Sequence, residues 1–171
     1  MGRDKALIEL DGKTLLQKAV DFCSTFCDEV LISSDSENHR VEGVRTIPDQ
    51  FKDCGPMSGI YSCLKESSNE WNFVLSVDVP FVEQEFVDFL ISTVSGFDAV
   101  VPVQAGKKEP LIALYNKRTS SQFESTIKTG NYKLHFLLQE LKTHFADSDE
   151  WIKRYPRLFN NLNFPEDIDI L

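Results

Sequence analysis

Asp78 follows the apolar run Phe73-Val74-Leu75-Ser76-Val77 and precedes Val79-Pro80, so it emerges at the carboxyl end of a strand. A lone carboxylate in that place suits Mg²⁺, which keeps several waters and shares phosphate oxygens. It equally suits a turn or helix cap beside proline. Lys5 carries a compact ammonium that neutralises phosphate charge or lies solvated on the surface. Asp49, directly after Pro48, is either a Pro-Asp turn or a ligand carboxylate. Gly55 and Gly59 permit close backbone approach to a ligand, tight packing, or both. Asn161 and Asn163 alternate with Leu162, which puts both amides on one side of an extended chain. They contact ligand or metal-bound water, or they cap a loop.

The elements that must position these residues are visible as periodicity. Residues 14–26 place Leu15, Leu16, Ala19, Val20, Cys23 and Phe26 on one helical face. Residues 29–34 read as a buried strand opening into a loop, and residues 44–47 as a second short strand stopped by Pro48. Gly55-Pro56 opens a helix, since proline is suited to a first helical turn. Residues 71–77 form a strand, 83–94 a helix, and 98–103 and 111–115 two further strands around a polar hairpin tip at 104–108. Leu134, Leu137, Leu138 and Leu141 mark a later helix, and Glu166 and Asp167 a helical start in the tail. Strands alternating with helices predict an α/β fold with a mostly parallel sheet and helices on both faces. Ligands then gather at the carboxyl ends of the strands. The polar residues after Ile32, Ile47 and Val77 are expected to converge there.

The chain of 171 residues suits one domain, residues 1–171, and its 42% apolar and 26% charged content is that of a globular protein. A net charge of −9 argues against broad nucleic-acid or membrane-surface binding, while a local Lys/Arg cluster still holds a small anion. No run is long and apolar enough to span a bilayer, and the first residues lack a signal-peptide pattern. Cys23, Cys27, Cys54 and Cys63 form no C-x-x-C pair and no metal array with the three histidines. Cys23 and Cys27 read as buried, reduced thiols. The cytosol is the expected compartment.

Five stretches in order resemble the molybdenum cofactor guanylyltransferases. Met1-Gly2-Arg3-Asp4-Lys5-Ala6 is similar to the end of that family's L-A-G-G-x-S-x-R-M-G-x-D-K signature, and Asp11-Gly12-Lys13-Thr14-Leu15-Leu16 to its G-K-x-L-L helix entry. Pro48-Asp49 with Gly55-Pro56-Met57-Ser58-Gly59-Ile60 resembles D…G-P-L-x-G-I; Asp78-Val79-Pro80-Phe81 resembles D-x-P-F/Y; Asn161-Leu162-Asn163-Phe164-Pro165 resembles N-x-N-T-P. The resemblance implies a three-layer Rossmann-like fold of the nucleotide-diphospho-sugar transferase type. It implies transfer of GMP from GTP to Mo-molybdopterin with release of pyrophosphate, and Mg²⁺ as cofactor. Lys5 and Asp78 would be catalytic, with Asp78 holding the metal. Lys5, Asp35, Asp49, Gly55 and Asp78 would bind nucleotide, and Asn161 and Asn163 the second substrate. A carboxylate at Asp49 meets the adjacent N1–H and N2–H donors of guanine and rejects adenine, which would leave its acceptors unpaired. Asp4 is expected to structure its turn. The run Glu109-Pro110-Leu111-Ile112-Ala113-Leu114-Tyr115 resembles a strand near the pterin side and reads equally as ordinary core. Molybdenum insertion proteins and apo-molybdoenzymes would be transient partners.

The sequence also departs from the family. Asp35 stands where the family commonly has asparagine, exchanging a donor-and-acceptor amide for an acceptor-only anion. Phe164 replaces a threonine. Met1 aligns inside the signature, so the first strand and its Gly-rich loop are not in the sequence. A chain without that strand exposes two strand edges and forgoes buried side chains worth roughly 1.5–3 kcal/mol each, against a total stability of about 5–15 kcal/mol. The expectation is an upstream start, which an in-frame stop directly before Met1 would refute. Without that segment little or no transferase activity is expected, and GTP turnover by this chain and an extended version compares the two. Two alternatives stay open: a relative with another base or acceptor, such as a molybdopterin cytidylyltransferase or sugar-phosphate nucleotidyltransferase, and a non-catalytic pterin- or partner-binding remnant.

Overall fold

In the computed structural model, which describes residues 4–162, the chain enters through a 3₁₀ turn, Lys5–Leu7. Asp11 and Gly12 then take positive φ (55° and 76°), the backbone of a two-residue hairpin turn. They join β1 (Glu9–Leu10) to β2 (Lys13–Thr14). The Thr14 hydroxyl accepts from the Gln17 N–H and so caps α1 (Leu15–Cys23). Helix α1 stops short of the expected residue 26, where Thr25 turns its hydroxyl onto the Phe22 carbonyl.

Strands β3 (Leu31–Ser33) and β4 (Arg45–Ile47) pair in parallel. Helix α2 (Pro56–Glu66) leads to β5 (Trp71–Leu75), and α3 (Gln84–Ser92) to β6 (Ala99–Gln104). Ala105 and Gly106, again both at positive φ, turn β6 into β7 (Lys107–Lys108), after which comes β8 (Ile112–Asn116). A second 3₁₀ turn precedes α4 (Ser120–Lys128), α5 (Leu134–Glu140), β9 (Thr143–Asp147) and α6 (Asp149–Arg154).

The main sheet runs β5-β8-β6-β7, with β9 also on β6. It is mixed rather than mostly parallel. β8 lies antiparallel between β5 and β6, and β9 runs parallel to β6. The short return through the Ala105-Gly106 turn explains this, because tight connections join antiparallel strands whereas parallel ones need a long crossover.

The α/β layering is as expected. Ala99, Val101, Ala113 and Tyr115 face α2, α4 and α5, while Val100, Ile112 and Leu114 face α3 and Leu158. The strand alternation thus feeds two cores on opposite faces. Phe86, Val87 and Leu90 of α3 are wholly buried, each contributing roughly 1.5–3 kcal/mol.

Cys23 and Cys27 are free thiols, as expected, but half-buried rather than buried. They line a cavity between β3 and β5 instead of a closed core. Burial of its sulfur pushes the Cys23 thiol up to about 12.

Glu29 fastens the end of α2. Its carboxylate accepts from the Ser68 N–H (2.9 Å) and hydroxyl (3.1 Å) and faces Arg45. These contacts, the Ser68 N–H foremost, hold its carboxyl below the usual range. A depressed folded-state pKa stabilises at pH above the unfolded value, about 4.3, and that stability goes as pH falls through the folded value. Glu29→Gln should therefore lower the urea midpoint at pH 7 by about 1 kcal/mol equivalent. It should also narrow the gap between the pH 7 and pH 3 midpoints; an unchanged gap would remove Glu29 from the acid response.

Candidate active site

Asp78 leaves the end of β5 as a turn residue, 15% exposed, with both carboxylate oxygens engaged. One accepts from the Ser76 hydroxyl at 2.6 Å, the other from Lys5 Nζ at 3.1 Å. The two residues the sequence singled out for phosphate chemistry are thus in direct contact. Lys5 sits in the 3₁₀ turn that Asp4 caps by accepting from the Ala6 N–H. The other oxygen of Asp4 lies 2.7 Å from His39 Nε2, and His39 Nδ1 lies 2.7 Å from the Ser34 hydroxyl. Asp4 structures its turn and also ties that turn to the loop after β3.

Asp49 follows β4, half-buried, and its Oδ1 accepts from the Ser33 hydroxyl at 3.0 Å. Asp35 accepts from the Asp49 N–H at 3.2 Å and pairs with Lys52 at 2.7 Å. The Lys52 ammonium holds the Asp35 carboxyl below its ordinary range. Asp35 therefore spends one oxygen on holding Asp49 and the other on Lys52, and its acceptor-only chemistry matches both tasks. Ser58 and Ser62, buried on α2, accept from the N–H groups of Phe51 and Gln50 and pin the rest of the loop.

Two glycines make this approach sterically allowed. Gly55, at φ 57° and ψ −149°, precedes Pro56 in a conformation L side chains avoid. Gly59 faces Ser33 so closely that an added Cβ would clash with its hydroxyl and stand 3.2 Å from its Cβ. Gly59→Ala should cost about 1–3 kcal/mol and free Asp49 from Ser33. Adding Ser33→Ala should return part of the melting temperature; no recovery would place the strain elsewhere.

The two carboxylate clusters follow the carboxyl ends of β3, β4 and β5, and Asp4–His39–Ser34 links the segments that carry them. The tail meets the Asp78 cluster. The Leu162 N–H donates to the Asp78 carbonyl at 2.7 Å, and Leu162 is buried against Ile8, Leu10 and Leu15. Exposed Asn161 is thereby carried to the Asp78 loop. Asn163, like the tail helix at Glu166 and Asp167, lies outside the described residues. Sequence reasoning missed Ser33, His39, Ser76 and Leu162 as site-builders. Ser76, two residues before Asp78, had a local signal; His39 had none. Tyr115 is core, its hydroxyl donating to the Pro110 carbonyl.

Among the described residues no group of three or more His, Cys, Asp or Glu side chains gathers into a metal cage. The donor set at Asp78 is one part-buried carboxylate. Its oxygens offer about four lone-pair sites, of which the Ser76 and Lys5 bonds take two. That fits Mg²⁺, which binds through one or two carboxylates with substrate phosphates and water.

Comparison with known proteins points one way. The family model described as "MobA-like NTP transferase domain" matches residues 1–145. A protein of Halalkalibacterium halodurans named "Probable molybdenum cofactor guanylyltransferase" is 32% identical over 176 residues, covering 98% of this chain and 88% of its own. The "Molybdenum cofactor guanylyltransferase" of Aliivibrio fischeri is 28% identical, covering 98% and 86%. Among solved structures, molybdopterin-guanine dinucleotide biosynthesis protein A from Archaeoglobus fulgidus superposes with a TM-score of 0.83 at 26% identity, covering 99% of this chain and 89% of that one. The 2-C-methyl-D-erythritol 4-phosphate cytidylyltransferase of Thermus thermophilus, at 14% identity and a TM-score of 0.73 over 97% and 91% of the two chains, shares the fold.

Proposed function

We propose, from the premise that the chain belongs to the MobA-like NTP transferase family, that it transfers GMP from GTP to Mo-molybdopterin and releases pyrophosphate. A terminal phosphate oxygen of molybdopterin attacks the α-phosphorus of GTP. The bond from that phosphorus to the α–β bridging oxygen breaks, and its electrons leave with pyrophosphate. The attacking monoester is already ionised near neutral pH, its second pKa being about 6, so no side chain need remove a proton. What remains is positioning and charge neutralisation.

The observation that carries this reading is the Lys5–Asp78 contact at the end of β5. Lys5 supplies a positive charge for the triphosphate. Asp78 is the residue to hold Mg²⁺, which when bound supplies Lewis-acid stabilisation of phosphate charge. Asp49 reads guanine, with Ser33 and Asp35 fixing its position and Gly55 giving the backbone access. Asn161 and Asn163 serve the second substrate. We take residues 1–171 as one domain working in the cytosol, with molybdenum insertion proteins and apo-molybdoenzymes as passing partners. Among the described residues no helix is long and apolar enough to cross a membrane.

The test is turnover of α-labelled GTP with Mo-molybdopterin, with and without Mg²⁺ and in competition with CTP and ATP. Mg²⁺-dependent formation of the guanine dinucleotide with equimolar pyrophosphate is the expected result. Preferential use of CTP would sink the guanine assignment, and no pyrophosphate from any nucleotide would sink the activity.

A further inference from the structure

His39 stands between the turn that carries Lys5 and the loops that build the Asp49 cluster. Its Nε2 lies 2.7 Å from Asp4 Oδ2, and its Nδ1 lies 2.7 Å from the Ser34 hydroxyl. A carboxylate only accepts, so Nε2 carries the proton. The Ser34 oxygen already accepts from the Ser36 N–H, which leaves its own hydrogen for Nδ1 in the neutral ring. The main chain of His39 is held as well. Its carbonyl accepts from the Thr46 hydroxyl on β4 at 3.3 Å, and its N–H donates to the Ser36 carbonyl at 3.1 Å.

Two routes lead from His39 to Asp49. Through Ser34 the next residue is Asp35, whose carboxylate accepts from the Asp49 N–H. Through Thr46 the chain continues as Ile47-Pro48-Asp49. A third route leads the other way, from Asp4 to the adjacent Lys5. Each end keeps supports of its own. Asp49 is held by Ser33 and Asp35, while Lys5 meets Asp78 on a turn that Asp4 Oδ1 caps at the Ala6 N–H. Ala6 also packs with Ile32, but apolar contact is non-directional and fixes no angle. What His39 adds is the relative placement of the two halves, set by a rigid ring bonded at both nitrogens.

We propose that His39 is a positioning residue that spaces Lys5 from Asp49, so that one nucleotide meets both, its triphosphate at the first and its base at the second. The inference rests on the phosphate and base roles proposed for those two residues. A ligand held at two points binds more tightly than its pieces, by an effective concentration that geometry sets. Loss of the ring lowers that advantage and leaves each piece its own contact. GTP, which spans both halves, is therefore sensitive to His39, whereas guanosine and tripolyphosphate are not.

The experiment measures calorimetric binding of GTP, guanosine and tripolyphosphate, at constant Mg²⁺, to the full 171-residue chain and to its His39→Leu and His39→Gln variants. His39→Leu should bind GTP at least about tenfold more weakly and each fragment within about twofold of the parent. His39→Gln, whose amide keeps one donor and one acceptor group, should recover most of the GTP affinity. Fragment binding also reports that both halves of each variant are folded. Unchanged GTP affinity in His39→Leu, no recovery in His39→Gln, or equal losses for GTP and a fragment would overturn the proposal, the last because His39 would then merely hold one half together. A parent chain that binds GTP no more tightly than its fragments is a different failure. Lys5 and Asp49 would then not share a nucleotide, and the reading beneath the inference would fall with it.

Discussion

Asp78→Asn lowers Mg²⁺-dependent GTP turnover by at least about a hundredfold, the scale on which losing one preorganised charge-stabilising contact acts. The amide is nearly isosteric, but its single oxygen accepts from Ser76 or from Lys5, not from both as the two carboxylate oxygens do at 2.6 and 3.1 Å. Its charge is gone, so affinity for a hard divalent cation falls with it. The latch onto Leu162 uses the Asp78 main-chain carbonyl, so the fold should hold and the melting temperature should shift by only a few degrees. Two measurements separate site from scaffold: calorimetric binding of GTP with and without Mg²⁺, and thermal unfolding. If Mg²⁺ still enhances GTP binding in the variant as in the parent, the metal is held elsewhere. Lys5→Met removes the partner instead and should weaken triphosphate binding while leaving Mg²⁺ dependence intact.

Asp49→Asn changes which nucleotide is chosen rather than how fast it reacts. The asparagine side chain keeps one acceptor and gains a donor, so it meets one guanine donor and repels the other. The GTP KM should rise by about a hundredfold, with kcat little altered, because base contacts away from the reacting phosphorus bind ground and transition states alike. Discrimination against ATP should collapse toward unity, since an acceptor pair that adenine cannot satisfy is no longer there. Measured kcat/KM for GTP, ATP and inosine triphosphate decides the matter; inosine lacks the N2 amino group and should be hurt less by the change. Unaltered GTP preference would move the base-reading role off Asp49. Asp35→Ala provides a graded companion. It leaves the Asp49 carboxylate in place but releases its backbone N–H, now held at 3.2 Å, and should give a smaller rise in KM.

Periodicity exposed the elements with dense apolar faces. Helices α1, α2, α3 and α5 and strands β3, β4, β5, β6 and β8 all lie within a few residues of their expected positions. Elements with thin signals escaped. Helix α4 reads Ser-Ser-Gln-Phe-Glu-Ser-Thr-Ile-Lys, with Phe123 and Ile127 as its apolar residues, and its partners in α2 and α5 supply the rest of its burial. Strand β9 runs Thr-His-Phe-Ala-Asp and is held by backbone pairing to β6 along its whole length. Helix α6 buries none of its residues fully. The hairpin tip expected at 104–108 is formed by Ala105-Gly106, and the mostly parallel sheet expected from the alternation of elements did not allow for the antiparallel return of β8 that this turn brings.

The candidate site divides in the same way. That Asp78 would emerge at a strand end followed from the apolar run before it. That Lys5 would lie on it, or that Ser33 and Asp35 would hold Asp49, depended on loops from different elements meeting, which no local spacing encodes. His39 shows the limit most clearly, as its two contacts reach back to Asp4 and Ser34 across unrelated segments.

The bond from Leu162 to the Asp78 carbonyl has a consequence for the order in which the molecule forms. Leu162 is buried among Ile8, Leu10 and Leu15, so this small core joins the two ends of the described chain and closes a loop containing nearly all of it. Ends so far apart in sequence meet last, because their entropy of closure is repaid only once the intervening sheet exists. A nascent chain still held at the ribosome exit can therefore build the β5–β8–β6 framework while the Asp78 loop remains unfastened. Docking of the Leu162 segment, rather than folding of the sheet, is the step that fastens the Asp78 loop.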